Sequence, residues 1–150
     1  MAESSGKTLI ATKCIAECQK NGGVCAIIDA EHAFDPSFAA KLGVDTDNLF
    51  VAQPDHMTEA FTIMDKFIDA GCDMIILDST AALVPKEEFE SDEVLKSSIG
   101  LIARGMSQFL RRITPKVANN ESTVIFINQT RDAIGSYIPT EATPGGRRIA

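Results

Sequence analysis

The chain has 150 residues, 45% of them hydrophobic, enough for one domain with its own core. A formal net charge of -7 excludes a protein that holds nucleic acid by overall positive charge, so any such contact must come from local basic patches. No apolar run approaches membrane length and no basic segment precedes an apolar one as in an export signal, so a cytoplasmic protein with no membrane partner is expected.

Taken in chain order, Ile10, Cys14 and Cys18, with Ala11 and Ile15 beside them, have helical spacing that stops at Asn21-Gly22-Gly23, which predicts a helix over Lys7–Lys20. Residues 24–29 form a nearly continuous apolar run ending in an acid, as in a strand covered on both faces. Asp35 and Pro36 supply an N-cap and a first helical proline, and Gly43 stands where that short helix should end. Residues 48–53 read as another strand, and Phe61, Met64, Phe67 and Ile68 mark one face of a helix closed by Gly71.

Residues 74–78 read as the clearest buried strand. The polar, acidic segment 85–98 lacks periodicity and reads as a loop with at most a short helical piece. Ile99, Ile102, Met106, Phe109, Leu110 and Ile113 define a helix expected to end near Pro115, followed by a strand over 123–128 and a second long loop over 129–146. Alternating strands and helices predict an α/β fold with a mostly parallel sheet flanked by helices, without internal repeat or dividing linker. Cys14, Cys18, Cys25 and Cys72 lack C-x-x-C spacing and fall in segments that read as helix or strand core, so they are expected to be small buried hydrophobes in a reducing compartment.

Three segments carry chemistry. Glu3-Ser4-Ser5-Gly6-Lys7-Thr8 opens a helix and matches the second half of G-x-x-x-x-G-K-[ST], in which backbone N–H groups wrap phosphates, the lysine reaches the outer phosphates and the hydroxyl binds magnesium. The first glycine of that motif is missing, and an ordinary capped helix start is the alternative. Residues 74–79 have the form of a Walker B strand, delivering Asp78 to a carboxyl end where it can hold a magnesium shell; the alternative is an acid capping the next turn through Ser79 and Thr80. Asp29-Ala30-Glu31-His32 ends a second strand with two carboxylates, and Glu31 is the candidate for orienting an attacking water. His32 is expected to be a hydrogen-bonding loop residue, since the only other histidine is His56 and no cysteine lies near either.

Arg104, Arg111 and Arg112, spaced by seven and eight, are expected to share a helix face with Lys116 as a phosphate-contacting row, which Arg131, Arg147 and Arg148 could join; a merely solvated face is the alternative.

The segments ESSGKT, IDAEHAFDPSFAAKLGVDTDNLFVAQP, IILDSTAALVPKEEFE, GLIARGMSQFLRRIT, VIFINQTRDAIG and TPGGR resemble the bacterial and phage RecA recombinases, in family order across the whole chain. The resemblance implies a P-loop NTPase core, incomplete, using ATP and Mg2+. It implies a nucleotide cradle of Glu3, Ser4, Ser5, Gly6, Lys7, Thr8 and Leu9, with Thr8 and Asp78 on the magnesium. Glu31 would activate water, Asp35 would read the adenine amino group, and Phe38 stands where the family has a stacking tyrosine. Gln129 would sense the terminal phosphate and pass nucleotide state to the loop that follows. Residues 87–98 would form a first DNA loop, and Arg104, Ser107, Arg111, Gly145 and Gly146 would contact single-stranded DNA. The implied partners are single-stranded DNA, a homologous duplex and further copies of the chain in a helical filament.

The second loop departs from the family pattern, being one residue shorter and leaving Ile138 or Tyr137 as the residue inserted between base triplets, while Arg147 replaces a usual asparagine. Relative to the family, the strand that feeds the phosphate loop, the N-terminal docking element and the C-terminal part are expected to be absent. Two alternatives to the recombinase are another motor of the same fold, such as a hexameric helicase or clock-type ATPase, and an inactive fragment.

Overall fold

The computed structural model describes residues 6–83, 92–129, 131–132 and 141–142, of which 92–100, 131–132 and 141–142 are described by backbone alone. Helix α1 (Lys7–Lys20) leads to β1 (Cys25–Asp29), α2 (Pro36–Lys41), β2 (Leu49–Ala52), α3 (Met57–Asp69), β3 (Met74–Asp78), α4 (Asp92–Asn119) and β4 (Thr123–Phe126). These four strands make a parallel sheet in the order β2-β1-β3-β4. A separate antiparallel pair joins β5 (Arg131–Asp132) to β6 (Glu141–Ala142).

The two-residue period of a strand sorts the central side chains into two cores. Ala26, Ile28, Ile75 and Leu77 join Met64 and Ile68 of α3 and Met106, Phe109 and Ile113 of α4 on one face. Cys25, Ile27 and Ile76 join Ala11, Ile15 and Ala16 of α1 and Ala39 of α2 on the other. Every residue of β1 is buried, as its unbroken apolar run requires. The expected α/β architecture is therefore present, and no described helix is long and apolar enough to cross a membrane.

Helix ends follow local chemistry. Asp35 caps α2, its Oδ1 accepting the Ser37 and Phe38 N–H groups at 2.9 and 3.1 Å, with Pro36 in the first turn. Gly43 beyond α2 and Gly71 beyond α3 have φ of 97° and 82°, which only glycine adopts without strain.

Three expectations need correction. The long helix begins at Asp92, inside the segment read as a loop, because extending an anchored helix costs far less than nucleating one and needs no apolar period. It also runs through Pro115 to Asn119. Proline removes one backbone bond, but the last turn is held from outside. Lys116 Nζ lies 2.9 Å from Asp65 Oδ1 and 3.0 Å from Asp69 Oδ1, and Asn120 Nδ2 donates to the Ile68 carbonyl at 2.9 Å. The second long loop contains the β5–β6 pair.

The cysteines are only partly as expected. Cys25 and Cys72 are buried, with burial pushing the Cys25 thiol up to about 12 and raising Cys72 as well. Cys14 and Cys18 are half-buried, and Cys72 lies in the connection between α3 and β3. Gly23 packs tightly at the end of α1. A Cβ there would overlap Cys18 Sγ and stand 3.0 Å from the Cys18 carbonyl oxygen. Gly23→Ala is expected to cost roughly 1–3 kcal/mol in urea denaturation, as overpacking does, with a smaller cost when Cys18→Ala is already present. Equal costs in both backgrounds would contradict this packing.

Candidate functional site at the carboxyl edge of the sheet

Parallel pairing brings the last residues of β1 and β3 together, with Asp29 opposite Asp78. The chain leaving β1 stays against β3, since the Ala30 N–H donates to the Asp78 carbonyl at 2.8 Å and the Glu31 N–H to the same oxygen at 3.4 Å. On the other side of this edge α1 begins. Gly6 precedes it with φ 76° and makes no side-chain cap bond. The leading N–H groups of the helix stand at the positive end of its dipole. Thr8 Oγ1 donates to Asp78 Oδ2 at 2.7 Å, a contact between residues 70 positions apart.

Glu31 is held on the same edge. Ser79, 1% exposed, donates its hydroxyl to Glu31 Oε1 at 2.5 Å. Asp29, 3% exposed, has both carboxylate oxygens occupied: Oδ1 accepts the Ala33 N–H at 3.1 Å, while Oδ2 accepts the Phe34 N–H and the Gln53 side-chain amide, each at 2.9 Å. The turn they fasten places His32 at φ 54°. His32 Nε2 lies 3.9 Å from Asp55 Oδ1, too far for a hydrogen bond, so it is the loop residue expected but stands beside an acid without bonding to it. The peptide bond Asp78–Ser79 is cis.

Burial pushes the Asp78 carboxyl above the ordinary carboxylate range. The Thr8 hydroxyl opposes that shift, the Glu31 and Asp29 carboxylates add to it, and the Lys7 ammonium counters them. The Asp78 carboxylate is bonded to Thr8 and not to the next turn; Thr80–Ala82 forms its single 3-10 turn behind Ser79 with no side-chain cap. A cavity of about 110 Å³ opens beside this edge, lined by Thr8, Asp29, Glu31 and Asp78 and, from α2, by Asp35, Phe38 and Ala39. Phe38 is 45% exposed at its rim.

Lys7, Thr8, Glu31, Asp35, Phe38 and Asp78 thus gather around one edge. Leu9 stands in the first turn of α1, 40% exposed. Gln129 leaves the same edge beyond β4, where Thr80 N–H donates to the Ile127 carbonyl at 3.0 Å and the Gln129 N–H donates to Asn128 Oδ1 at 2.9 Å. Glu3, Ser4, Ser5, Ile138, Gly145, Gly146 and Arg147 lie outside the described residues.

The basic row of α4 divides. At roughly 100° per residue, Arg111 returns to within about 20° of Arg104, whereas Arg112 and Lys116 are displaced by about 80° and 120°. Arg104, Ser107 and Arg111 are exposed. Lys116 and Arg112 turn toward α3. Lys116 is bonded to Asp65 and Asp69, which raise its ammonium above the ordinary value. Arg112 lies 3.8 Å from Asp65 Oδ2 and 5.5 Å from the Phe109 ring centre. The expectation that all four share one helix face is corrected: Arg104 and Arg111 share a face, while Arg112 and Lys116 turn toward α3.

A family profile described as the RecA N-terminal domain matches residues 1–150. The chain belongs to the RecA family. It is 52% identical over 149 residues to Protein RecA of Arthrobacter sp. strain FB24, covering 98% of this chain and 42% of that one. It is 50% identical over the same length to Protein RecA of Staphylococcus epidermidis, again 42% of the relative, and to that of Paenarthrobacter aurescens, 68% of the relative. The chain thus spans less than half the length of the first and second of these RecA relatives.

Asp29, Gln53 and Ser79 are not among the expected site residues. The sequence offers a faint signal for Asp29, an acid closing a fully apolar run, but nothing that tells a structural carboxylate from a reactive one before its partners are seen.

The raised Asp78 carboxyl has a consequence for stability. The folded chain keeps the Asp78 proton to higher pH than the unfolded chain, so stability from this group is lost as pH rises from the unfolded carboxylate value through the folded one. Without nucleotide or Mg2+, the melting temperature of Asp78→Asn is expected to gain on the wild type as pH rises across that window. A difference that stays constant with pH would contradict the electrostatic reading.

Proposed function

We propose that this segment is the nucleotide-binding core of a RecA-family, DNA-dependent ATPase that promotes strand exchange on single-stranded DNA in the cytoplasm. The observation that carries the reading is the 2.7 Å bond from Thr8 to Asp78, which joins a helix start that suits phosphate to a strand end that suits a cation. The donor set fits magnesium, which binds one or two protein oxygens and takes the rest of its shell from phosphate and water. Among the described residues no three His, Cys, Asp or Glu side chains form a cage that would hold a metal alone.

In this reading the N–H groups of the helix start after Gly6, continued by Glu3, Ser4, Ser5 and Leu9, receive phosphate oxygens, and Lys7 neutralises the outer ones. Thr8 and Asp78 hold the magnesium shell. Bound ATP with Mg2+ supplies an activated terminal phosphoryl group with its charge partly neutralised. Glu31 orients the attacking water and accepts its proton. Phe38 offers an apolar face to the base, and Asp35, with Oδ1 committed to its cap, reads the amino group with its other carboxylate oxygen. Gln129 senses the terminal phosphate and biases the loop that follows.

Single-stranded DNA is assigned to Arg104, Ser107 and Arg111, joined by Ile138, Gly145 and Gly146 of the second loop and by Arg147 just beyond it. A homologous duplex and a filament of further copies complete the set of partners.

Two outcomes follow. Lys7→Ala is expected to abolish binding of a fluorescent ATP analogue, and Glu31→Gln to retain binding while slowing DNA-stimulated hydrolysis by the full-length chain roughly 10²- to 10⁴-fold, the usual share of general-base catalysis. Normal hydrolysis by Lys7→Ala would refute the assignment. Replacing both Arg104 and Arg111 by alanine should weaken single-stranded DNA binding. It should also flatten the salt dependence by about one unit of log–log slope for each phosphate no longer neutralised, as read by anisotropy titration. Lys116→Ala should leave the slope unchanged. An equal effect of Lys116→Ala would restore the undivided row.

A further inference from the structure

We infer that Ser79, with Asp29 and Gln53 behind it, forms a positioning set that holds the Glu31 carboxylate in its working orientation. The inference rests on the assignment of Glu31 as the residue that activates water. It concerns how that carboxylate is aimed.

Glu31 lies two residues beyond β1 on an exposed turn, where a glutamate samples several rotamers and a base that wanders loses its advantage. The hydroxyl of Ser79 is removed from solvent at 1% exposure and is donated to Glu31 Oε1 at 2.5 Å, within the range of a strong charge-assisted bond. Ser79 cannot follow a moving partner. The carbonyl before it accepts two N–H groups from the β1 turn, and the Thr80 N–H after it is bonded to the Ile127 carbonyl at 3.0 Å. Binding one oxygen fixes the plane of the carboxylate and leaves the other for the water's proton.

The backbone carrying Glu31 is fixed from the opposite side. Asp29 accepts N–H groups from Ala33 and Phe34, clamping the turn two and three residues past Glu31, and its remaining capacity is taken by the Gln53 amide from the end of β2. A carboxylate so occupied and 3% exposed is not a spare acid for catalysis; its role is to shape the turn. Three neighbouring strand ends, those of β2, β1 and β3, therefore meet around the turn that carries Glu31. An ordinary buried serine would satisfy its hydroxyl on a local carbonyl instead of reaching a carboxylate 48 positions away.

The test is a double-mutant cycle in the full-length chain, measuring kcat for ATP hydrolysis with Mg2+ and single-stranded DNA alongside the affinity for a fluorescent nucleotide. Ser79→Ala is expected to lower kcat roughly 10- to 100-fold, the scale of a misplaced catalytic group, with nucleotide affinity unchanged. In a Glu31→Gln background the same substitution should cost nothing further, because the group it aims is gone. Gln53→Ala, at an exposed position, should show the same signature and decides the matter if Ser79→Ala does not fold. Wild-type kcat in these variants, or the same loss with and without Glu31, would overturn the positioning role. Wild-type kcat in Glu31→Gln alone would instead overturn the functional reading beneath it.

Discussion

The register that sets Asp29 of β1 opposite Asp78 of β3 is the constraint on which the site depends. Because side chains alternate along a strand, a slip of one residue would turn the slipped strand's apolar side chains to the wrong faces, sending Ile28 of β1 to the α1 face and Ile27 to the α3–α4 face, or likewise Leu77 and Ile76 of β3. Packing on both faces therefore fixes the register. The register then fixes where the strands end, and with them the carbonyl of Asp78 that receives the turn bearing Glu31. The chemistry at the edge inherits its precision from apolar side chains that never touch it.

That edge is electrostatically costly in the unliganded chain. Asp29, Glu31 and Asp78 are close enough for the first two to push up the third, and burial of Asp78 is the largest contribution. The arrangement makes sense as a place awaiting positive charge. Asp29 is hydrogen-bonded by three N–H donors, Glu31 is restrained by one hydroxyl, and Asp78 has the Thr8 hydroxyl and the field of Lys7. Asp78 is also the acid placed beside the helix start, where a cation shared with phosphate would lie. Sites of this kind sacrifice stability for binding.

The strands are legible in the sequence because they are short apolar runs ending in acids, and the α2 cap because Asp-Pro at a helix start has a local cause in Asp35 and Pro36. Residues 92–98 and Pro115 mislead because local pattern decides where a helix can nucleate and not how far it runs. The first end extends a helix already formed, and the last turn is held by anchors about 50 positions away, at Asp65, Asp69 and Ile68. The same blindness hides Asp29. Its carboxylate is as visible in the sequence as that of Glu31, but its three partners come from the turn beyond and from the residue after β2. Glu31, Thr8 and Asp78 are legible through motif order, and their meeting at one edge then follows from the parallel topology.

Charge is the clearest instance of a local count misleading. Arg112 and Lys116 add two positive charges to the helix that carries Arg104 and Arg111, yet α3 presents Asp65 and Asp69 to them at helical spacing. An exposed ion pair of this sort contributes little to stability. Its effect is to offset two charges locally, with Arg112 still 59% exposed, so among the described residues the uncompensated charge of the row centres on Arg104 and Arg111. In a chain of net charge -7, attraction of a polyanion over long range is weak. The proposed contact with a phosphate backbone would then depend on Arg104 and Arg111, whose face of α4 is set by the packing of Met106, Phe109 and Ile113 on the other side.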